Sequence, residues 1–400
     1  MNPSNVSERW MLPAGVEEIL PPRARALDRL SGDLVDLYWS WGYDLVMPPL
    51  IEYLESLLTG TGRDLDLHTF KLTDQVNGRL MGVRADITPQ VARIDAHVLG
   101  GEAARRLCYI GSVLHTLPGG FSGSRSPLQV GAELFGHSGI ESDLEVLSLM
   151  LETLTHAAVE DIHIDIGHVG IYRGLVQRAN LSNGDEAALF EIMQRKALPE
   201  LERFLDDRAL PEDLAAMLAI LPELNGGVEV VGRARATLSQ AGPEVLTALA
   251  DIDRLVAAVT KKYPKLPVHV DLAELRGYGY HTGIVFAAFQ PGRGQDVARG
   301  GRYDHIGEVF GRARPATGFS ADLETLLLCG ALPVDTTANG ILVPALDDAE
   351  LTAKVRNLRA DGERVVQVLS VSDDPVSLGC DRQLVRKGDS WRVVPIGEVD

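Results

Sequence analysis

The densest set of polar and aromatic side chains in the sequence is Arg276-Gly277-Tyr278-Gly279-Tyr280-His281-Thr282-Gly283. Its glycines let a backbone turn tightly and approach a ligand, while Arg, Tyr and His offer donors of three different shapes. Taken alone, the segment suits either a bound ligand or a turn whose aromatics cover a sheet edge. A second set, Arg299-Gly300-Gly301-Arg302-Tyr303-Asp304, puts paired glycines beside two arginines and could cradle a phosphate or carboxylate. It has neither Walker nor dinucleotide spacing. Asp86 and Thr88 stand at a predicted helix start, where short polar side chains cap the helix or point a carboxylate at a ligand's ammonium. Gln129, Gly131 and Glu133 alternate along a predicted strand, so they share a face. If that face is solvent they need nothing, and if it is buried Glu133 needs a partner. No Ser-His-Asp or Cys-His set stands out. His163 and His168 lack a supporting carboxylate motif and read as strand and loop surface. No catalytic residue, metal or cofactor is expected.

These residues need elements to place them. Leu27, Leu30, Leu34, Leu37 and Trp41 recur at helical steps and predict a helix over 23–41, between Pro21-Pro22 and Gly42. Residues 43–47 read as a strand stopped by Pro48-Pro49, which cannot donate to a ladder. Residues 69–72 and 82–84 read as strands around an Asn77-Gly78 turn. A helix over 86–99 follows, then strands over 106–114 and 128–135 flanking a Gly/Ser-rich loop at 118–126, a helix over 143–158 and a strand over 163–167. From about 181 to 263 only helical periodicity is present, a helical insertion. Strand signals return at 268–271, 283–289 and 296–298, ahead of a helix over 320–329. After Asn339-Gly340, strands near 341–343, 365–369 and 391–394 and a helix over 348–359 form a short α/β unit. The pattern predicts an α+β fold: an antiparallel sheet flanked by helices over 1–335, then a small unit over 340–400.

Composition restricts the function classes. Hydrophobic residues make up 45% and charged residues 24%, an ordinary globular balance. The 38 Lys+Arg against 56 Asp+Glu give −18, which repels polyanionic nucleic acid at long range. No run approaches the roughly 18 to 20 apolar residues of a membrane span, and residues 1–13 lack the pattern of a secretion signal. Cys108, Cys329 and Cys380 are odd in number and far apart, which suits a reducing cytoplasm rather than a disulfide framework.

The clusters line up, in order, with one family. Leu12-Pro13-Ala14-Gly15, Gly42-Tyr43 with Pro48-Pro49, Arg84-Ala85-Asp86-Ile87-Thr88, and residues 129–136, 276–286 and 300–304 resemble the class II aminoacyl-tRNA synthetase catalytic domain of the histidyl-tRNA synthetase type. The resemblance implies that fold and a site for L-histidine. Asp86 and Thr88 would face its ammonium, Gln129 would bridge ammonium and carboxylate, and Arg276 would meet the carboxylate. Glu133 would accept from an imidazole nitrogen, with Tyr280, His281 and Tyr303 on the ring's side. His281 stands where the synthetase usually has tyrosine.

Other departures bear on activity. His115 and Leu117 occupy the places of an ATP-holding arginine and glutamate, and Thr325 that of a second arginine. Without those cations the stabilisation of a transferring phosphate is mostly gone. Only about 60 residues follow Gly340 where the synthetase has a full anticodon-binding domain. Together with the runs at 58–67 and 86–97, this resembles the regulatory subunits of ATP phosphoribosyltransferase, which are histidyl-tRNA synthetase paralogues. The resemblance implies no chemistry by the chain alone. It implies a hetero-oligomer with the short catalytic subunit for the first step of histidine biosynthesis, feedback by L-histidine, and a homodimer through the first class II motif. A diverged histidyl-tRNA synthetase and a free-standing histidine- or tRNA-sensing module are the alternatives.

Overall fold

The computed structural model describes residues 10–58, 63–118, 123–208, 210–332, 339–370 and 373–397. Parts of the 58–67 run and of the 118–126 loop therefore lie outside the described residues, as does most of the 1–13 terminus. The chain divides into two compact units, Met1–Leu332 and Pro333–Asp400.

The first unit is built on a nine-stranded sheet, in the order β1 (Asp44–Leu45), β5 (Arg105–Ser112), β6 (Leu128–Phe135), β12 (Ala316–Asp322), β11 (Asp296–Arg302), β10 (Ile284–Phe289), β7 (His163–His168), β9 (Val268–Asp271) and β8 (Asn225–Gly226). It is antiparallel except where β1 joins β5 and β7 joins β9 in parallel. A separate three-stranded sheet holds β2 (Ile51–Tyr53), β4 (Leu80–Val83) and β3 (Phe70–Thr73), with the expected Asn77-Gly78 turn between the last two. Gly78 there has φ +76°, a left-handed conformation that favours glycine.

The helix Arg23–Ser40 buries Leu27, Leu30, Leu34 and Tyr38. The stripe thus ends on Tyr38 rather than on Leu37 and Trp41, because these four share one side of a 3.6-residue helix. Tyr38 meets Phe319 of β12 edge-on at 6.1 Å and accepts from Thr153 Oγ1 at 3.1 Å, which ties this helix and Ile140–His156 to one face of the sheet.

Several expected elements differ. The helix over 320–329 is a strand through Asp322 and a helix only over Leu323–Cys329. Asp322 causes the break: its carboxylate accepts the backbone N–H groups of Glu324 and Thr325 at 3.4 and 3.1 Å, an N-cap. The 86–99 helix is α-helical over Thr88–Arg93 and π-helical over Ile94–Leu99. The insertion holds the helices Asn183–Gln194, Leu198–Asp206, Glu212–Ile220, Val230–Thr237 and Pro243–Lys262, but β8 interrupts it to pair with β9. His168 is buried rather than on a loop surface: its Nδ1 caps the helix Val169–Ala179 by accepting from Gly170 N at 3.0 Å.

The second unit has a four-stranded sheet, in the order β14 (Val365–Gln367), β13 (Gly340–Val343), β15 (Cys380–Lys387) and β16 (Ser390–Pro395), with one helix, Ala349–Ala360. Ile341, Val343, Leu351, Leu384 and Trp391 form its core. β15 was missed because its charged residues, Asp381, Arg382, Arg386 and Lys387, obscure the strand signal.

Candidate functional site

The eight residues singled out from the sequence, Asp86, Thr88, Gln129, Glu133, Arg276, Tyr280, His281 and Tyr303, all line one cleft of about 1110 Å³ in the first unit. Its floor is the middle of the large sheet. Strand registry puts Glu133 opposite Gly318 and Gly318 opposite Gly301. The glycines are required by close approach: a Cβ on Gly318 would lie 1.5 Å from Glu133 Oε2, and one on Gly301 would lie 3.0 Å from the His281 ring and 2.6 Å from the Ile284 carbonyl oxygen.

Glu133 is the chemical centre. It is 1% exposed, and burial pushes its carboxyl up from 4.5 to about 8, against hydrogen bonds that favour the charged form. Thr88 Oγ1 donates to Oε1 at 2.9 Å, Tyr109 donates to the same oxygen at 3.1 Å, and Tyr303 donates to Oε2. Tyr109 was not anticipated. Its place on β5 next to β6 was the only signal, because a buried carboxylate on one strand calls for donors from its neighbours.

At one end of this group, Asp86 Oδ1 accepts from Gln129 Nε2 at 2.8 Å and from Thr88 N at 3.0 Å, and Gln129 Oε1 accepts from Ile87 N at 2.9 Å. Asp86 thus holds the turn into the helix Thr88–Arg93 through the Thr88 N–H, and it also lines the cleft. On the aromatic side His281 is buried, which brings its ring down to about 4 and keeps it uncharged at neutral pH. Tyr280 lies against the His281 ring with centroids 4.1 Å apart and meets Tyr303 at 6.4 Å.

The paired-glycine segment at 299–304 is not a loop that cradles an anion, because β11 continues through Arg302. Strand alternation sends Arg299 and Tyr303 to the cleft and turns Arg302 to the opposite face. There Arg302 donates to Asp143 Oδ2 at 2.8 and 3.1 Å, to Ser142 Oγ at 2.9 Å and to the Gly139 and His137 carbonyls at 3.2 Å each. It is a buried structural cation. Arg299 stays largely exposed, 3.8 Å from Asp296.

Further along the cleft lie His115 and Thr325. His115 Nε2 donates to the Ala85 carbonyl at 2.8 Å, and burial lowers its ring below the usual range. Thr325 Oγ1 donates to Asp322 at 2.7 Å within the N-cap of Leu323–Cys329. The lining holds eight acidic side chains, Asp86, Glu133, Asp165, Glu186, Glu191, Glu274, Asp296 and Asp322, of which Glu133 keeps its proton at neutral pH, against the two arginines Arg276 and Arg299. Such a surface repels polyanions and attracts ligands that carry an ammonium.

Comparison with known proteins sets this geometry in context. A family profile described as histidyl-tRNA synthetase matches residues 15–326, and one described as the ATP phosphoribosyltransferase subunit HisZ C-terminal domain matches residues 338–394. The chain is 56% identical over 392 residues, 98% of this chain and 99% of the relative, to the ATP phosphoribosyltransferase regulatory subunit of Thioalkalivibrio sulfidiphilus. To that of Pseudomonas putida it is 53% identical over 395 residues, 98% and 99% of the two chains. Among solved structures, an ATP phosphoribosyltransferase regulatory subunit/histidyl-tRNA synthetase from Bacillus halodurans matches with a TM-score of 0.80 at 26% identity, covering 92% of this chain and 95% of that one. The apo histidyl-tRNA synthetase of S. aureus, at 17% identity and a TM-score of 0.63 over 96% and 97% of the chains, shares the fold.

Proposed function

Because the chain belongs to the family of ATP phosphoribosyltransferase regulatory subunits, built on the histidyl-tRNA synthetase fold, we propose that it reports free L-histidine to a catalytic ATP phosphoribosyltransferase subunit in a hetero-oligomer. Its role is regulatory, in histidine biosynthesis, and it contributes no catalytic residue of its own.

The observation that carries the ligand assignment is Glu133, a buried carboxyl able to hold or release a proton near neutrality within an acidic cleft. An imidazole is the side chain that gains and loses its proton nearest neutrality, so Glu133 and the ring can share one proton. Asp86 and Gln129 would take the ligand's ammonium and Arg276 its carboxylate, with Thr88 holding Glu133 and Tyr280, His281 and Tyr303 enclosing the ring. His115, Leu117 and Thr325 stand where we expect ATP contacts in a synthetase, and none of the three is a permanent cation. With the excess of carboxylates, this favours a site for the amino acid without the nucleotide.

The dimer is proposed at the first class II motif. Trp39, Leu45, Met47, Leu50 and Ile51 are exposed around the edge strand β1, an apolar patch beside unpaired backbone groups. We place the complex in the cytoplasm. Among the described residues no helix is long and apolar enough to cross a membrane.

The test is phosphoribosyl-ATP formation by the short catalytic subunit with and without this chain, across an L-histidine titration. Activity that depends on the chain and falls with histidine is expected, and a chain without effect would refute the reading. Histidine-dependent ATP–pyrophosphate exchange by the chain alone would favour the diverged synthetase instead.

A further inference from the structure

The cation assigned to the ligand's carboxylate is already in use. Arg276 Nε and Nη2 donate to Glu274 Oε2 at 2.9 and 2.6 Å, and the backbone N–H of Arg276 donates to Glu274 Oε1 at 2.7 Å. The remaining nitrogen, Nη1, lies 3.6 Å from Asp296 Oδ1, and the guanidinium sits 5.1 Å above the Phe289 ring. A guanidinium has two edges that can grip a carboxylate, and here Glu274 takes the Nε–Nη2 edge while Asp296 stands beside Nη1 on the other, so an incoming carboxylate meets an internal one at either edge.

The clasp is built into the fold. The Glu274 side chain is 14% exposed and lies over β7, where a Cβ on Gly167 would come within 2.8 Å of Glu274 Cβ. Burial acts to raise the Glu274 carboxyl, yet the hydrogen bonds from Arg276 leave it below its ordinary value, so it is charged across the neutral range. A ligand carboxylate must therefore displace Glu274 or settle beside a neutralised arginine.

We propose that Glu274 is an affinity-setting residue of the cleft, an internal carboxylate that competes with the carboxylate of the bound amino acid for Arg276. This rests on the assignment of the cleft to L-histidine. The competition keeps the site empty until the free amino acid is abundant, which a feedback sensor requires. It acts on the carboxylate alone, so ligands that lack one are indifferent to it.

The experiment is calorimetry on the full chain with L-histidine and with L-histidinol, which carries the same ring and ammonium without the carboxylate. Glu274→Gln keeps an oxygen for the Arg276 backbone N–H but removes the competing charge. It is expected to tighten histidine binding by about tenfold at low salt and to leave histidinol unchanged. Asp296→Asn, freeing only Nη1, should act in the same direction by a smaller factor, and melting curves check that both variants are folded. Native chain that binds histidine, with Glu274→Gln equal or weaker, would overturn the clasp alone, as would an equal gain for histidinol. If native chain and both variants all fail to bind histidine, the assignment of the cleft falls and the clasp with it.

Discussion

If Glu133 and an imidazole share one proton, the affinity for L-histidine must follow pH in a defined way. The empty site holds that proton below about 8, where the Glu133 carboxyl titrates. The free imidazole holds its own below about 6.5. Between those values the two partners together carry one proton, which is what the complex needs, so affinity is flat. Below about 6.5 they carry two and one must leave. Above about 8 they carry none and one must be taken up. Affinity therefore falls about tenfold per pH unit on either side, and a Glu133 carboxyl left at its ordinary value would instead start the alkaline fall near 6.5.

Glu133→Gln separates this from other titrations. The amide cannot ionise, and it exchanges a charge-assisted hydrogen bond for a neutral one, a loss of about 1 to 1.5 kcal/mol or roughly 5- to 10-fold in affinity near pH 7. The ligand's amino group titrates equally in both proteins, so the ratio of their dissociation constants isolates Glu133. Calorimetry from pH 6 to 9.5 should give a constant ratio up to about 8 that shrinks about tenfold for each unit above it. A ratio that stays constant to pH 9.5, or that shrinks from 6.5, would refute the shared proton.

The same carboxyl predicts a stability effect. Its value is higher in the folded chain, so stability is full below 4.5 and is lost as pH rises towards 8; the full interval corresponds to at most about 5 kcal/mol. Glu133→Gln should thus melt higher than the native chain at pH 8 and about level with it at pH 4.5, and a variant less stable at both would contradict the burial argument. Gly318→Ala should abolish histidine binding by pushing Glu133 aside, at an overpacking cost of about 1–3 kcal/mol in denaturant unfolding; unchanged binding would mean that the two strands spread freely. Arg302→Met strands the buried Asp143 and should cost about 3–5 kcal/mol, whereas a loss under about 1 kcal/mol would show the pair to be dispensable. Arg276→Ala should weaken histidine binding and leave histidinol binding nearly unchanged, and equal losses for both would remove its carboxylate role.

The residue types of the cleft were legible, and so were most strands, because periodicity and turn residues act locally. What escaped was whatever depends on the neighbouring strand. Arg299 and Arg302 look equivalent in the sequence, yet alternation gives one to the cleft and buries the other against Asp143, which lies on a helix far away in the chain. Tyr109 becomes a donor to Glu133 only when β5 pairs with β6. Ser320 to Asp322 carry no strand signal strong enough to oppose the apolar helix that follows, and pairing with β6 and β11 decides the matter. Glu274, two residues before Arg276, sits where no periodicity marks it, and its role comes from the turn that folds it back onto the guanidinium.

The proposed use of the cleft accounts for how a scaffold shared with histidyl-tRNA synthetases can serve sensing. Recognition of an amino acid needs only a few fixed groups around its ring and its two charges, and the residues proposed for that role line one cleft, with Gln129 and Glu133 on a strand that its neighbour approaches closely at Gly318. Activating an amino acid with ATP asks for more: cations placed to meet a triphosphate as charge moves on it. Acidic side chains dominate the lining instead, and Arg276, the cation proposed for the ligand's carboxylate, is itself clasped by Glu274. A ligand with a positive end is drawn in, a polyanion is held off, and occupancy can then alter the complex only through differential affinity between its states. If histidine binds this cleft as proposed, reciprocity requires substrates of the catalytic partner to change the affinity of the cleft for histidine by the same factor that histidine changes theirs.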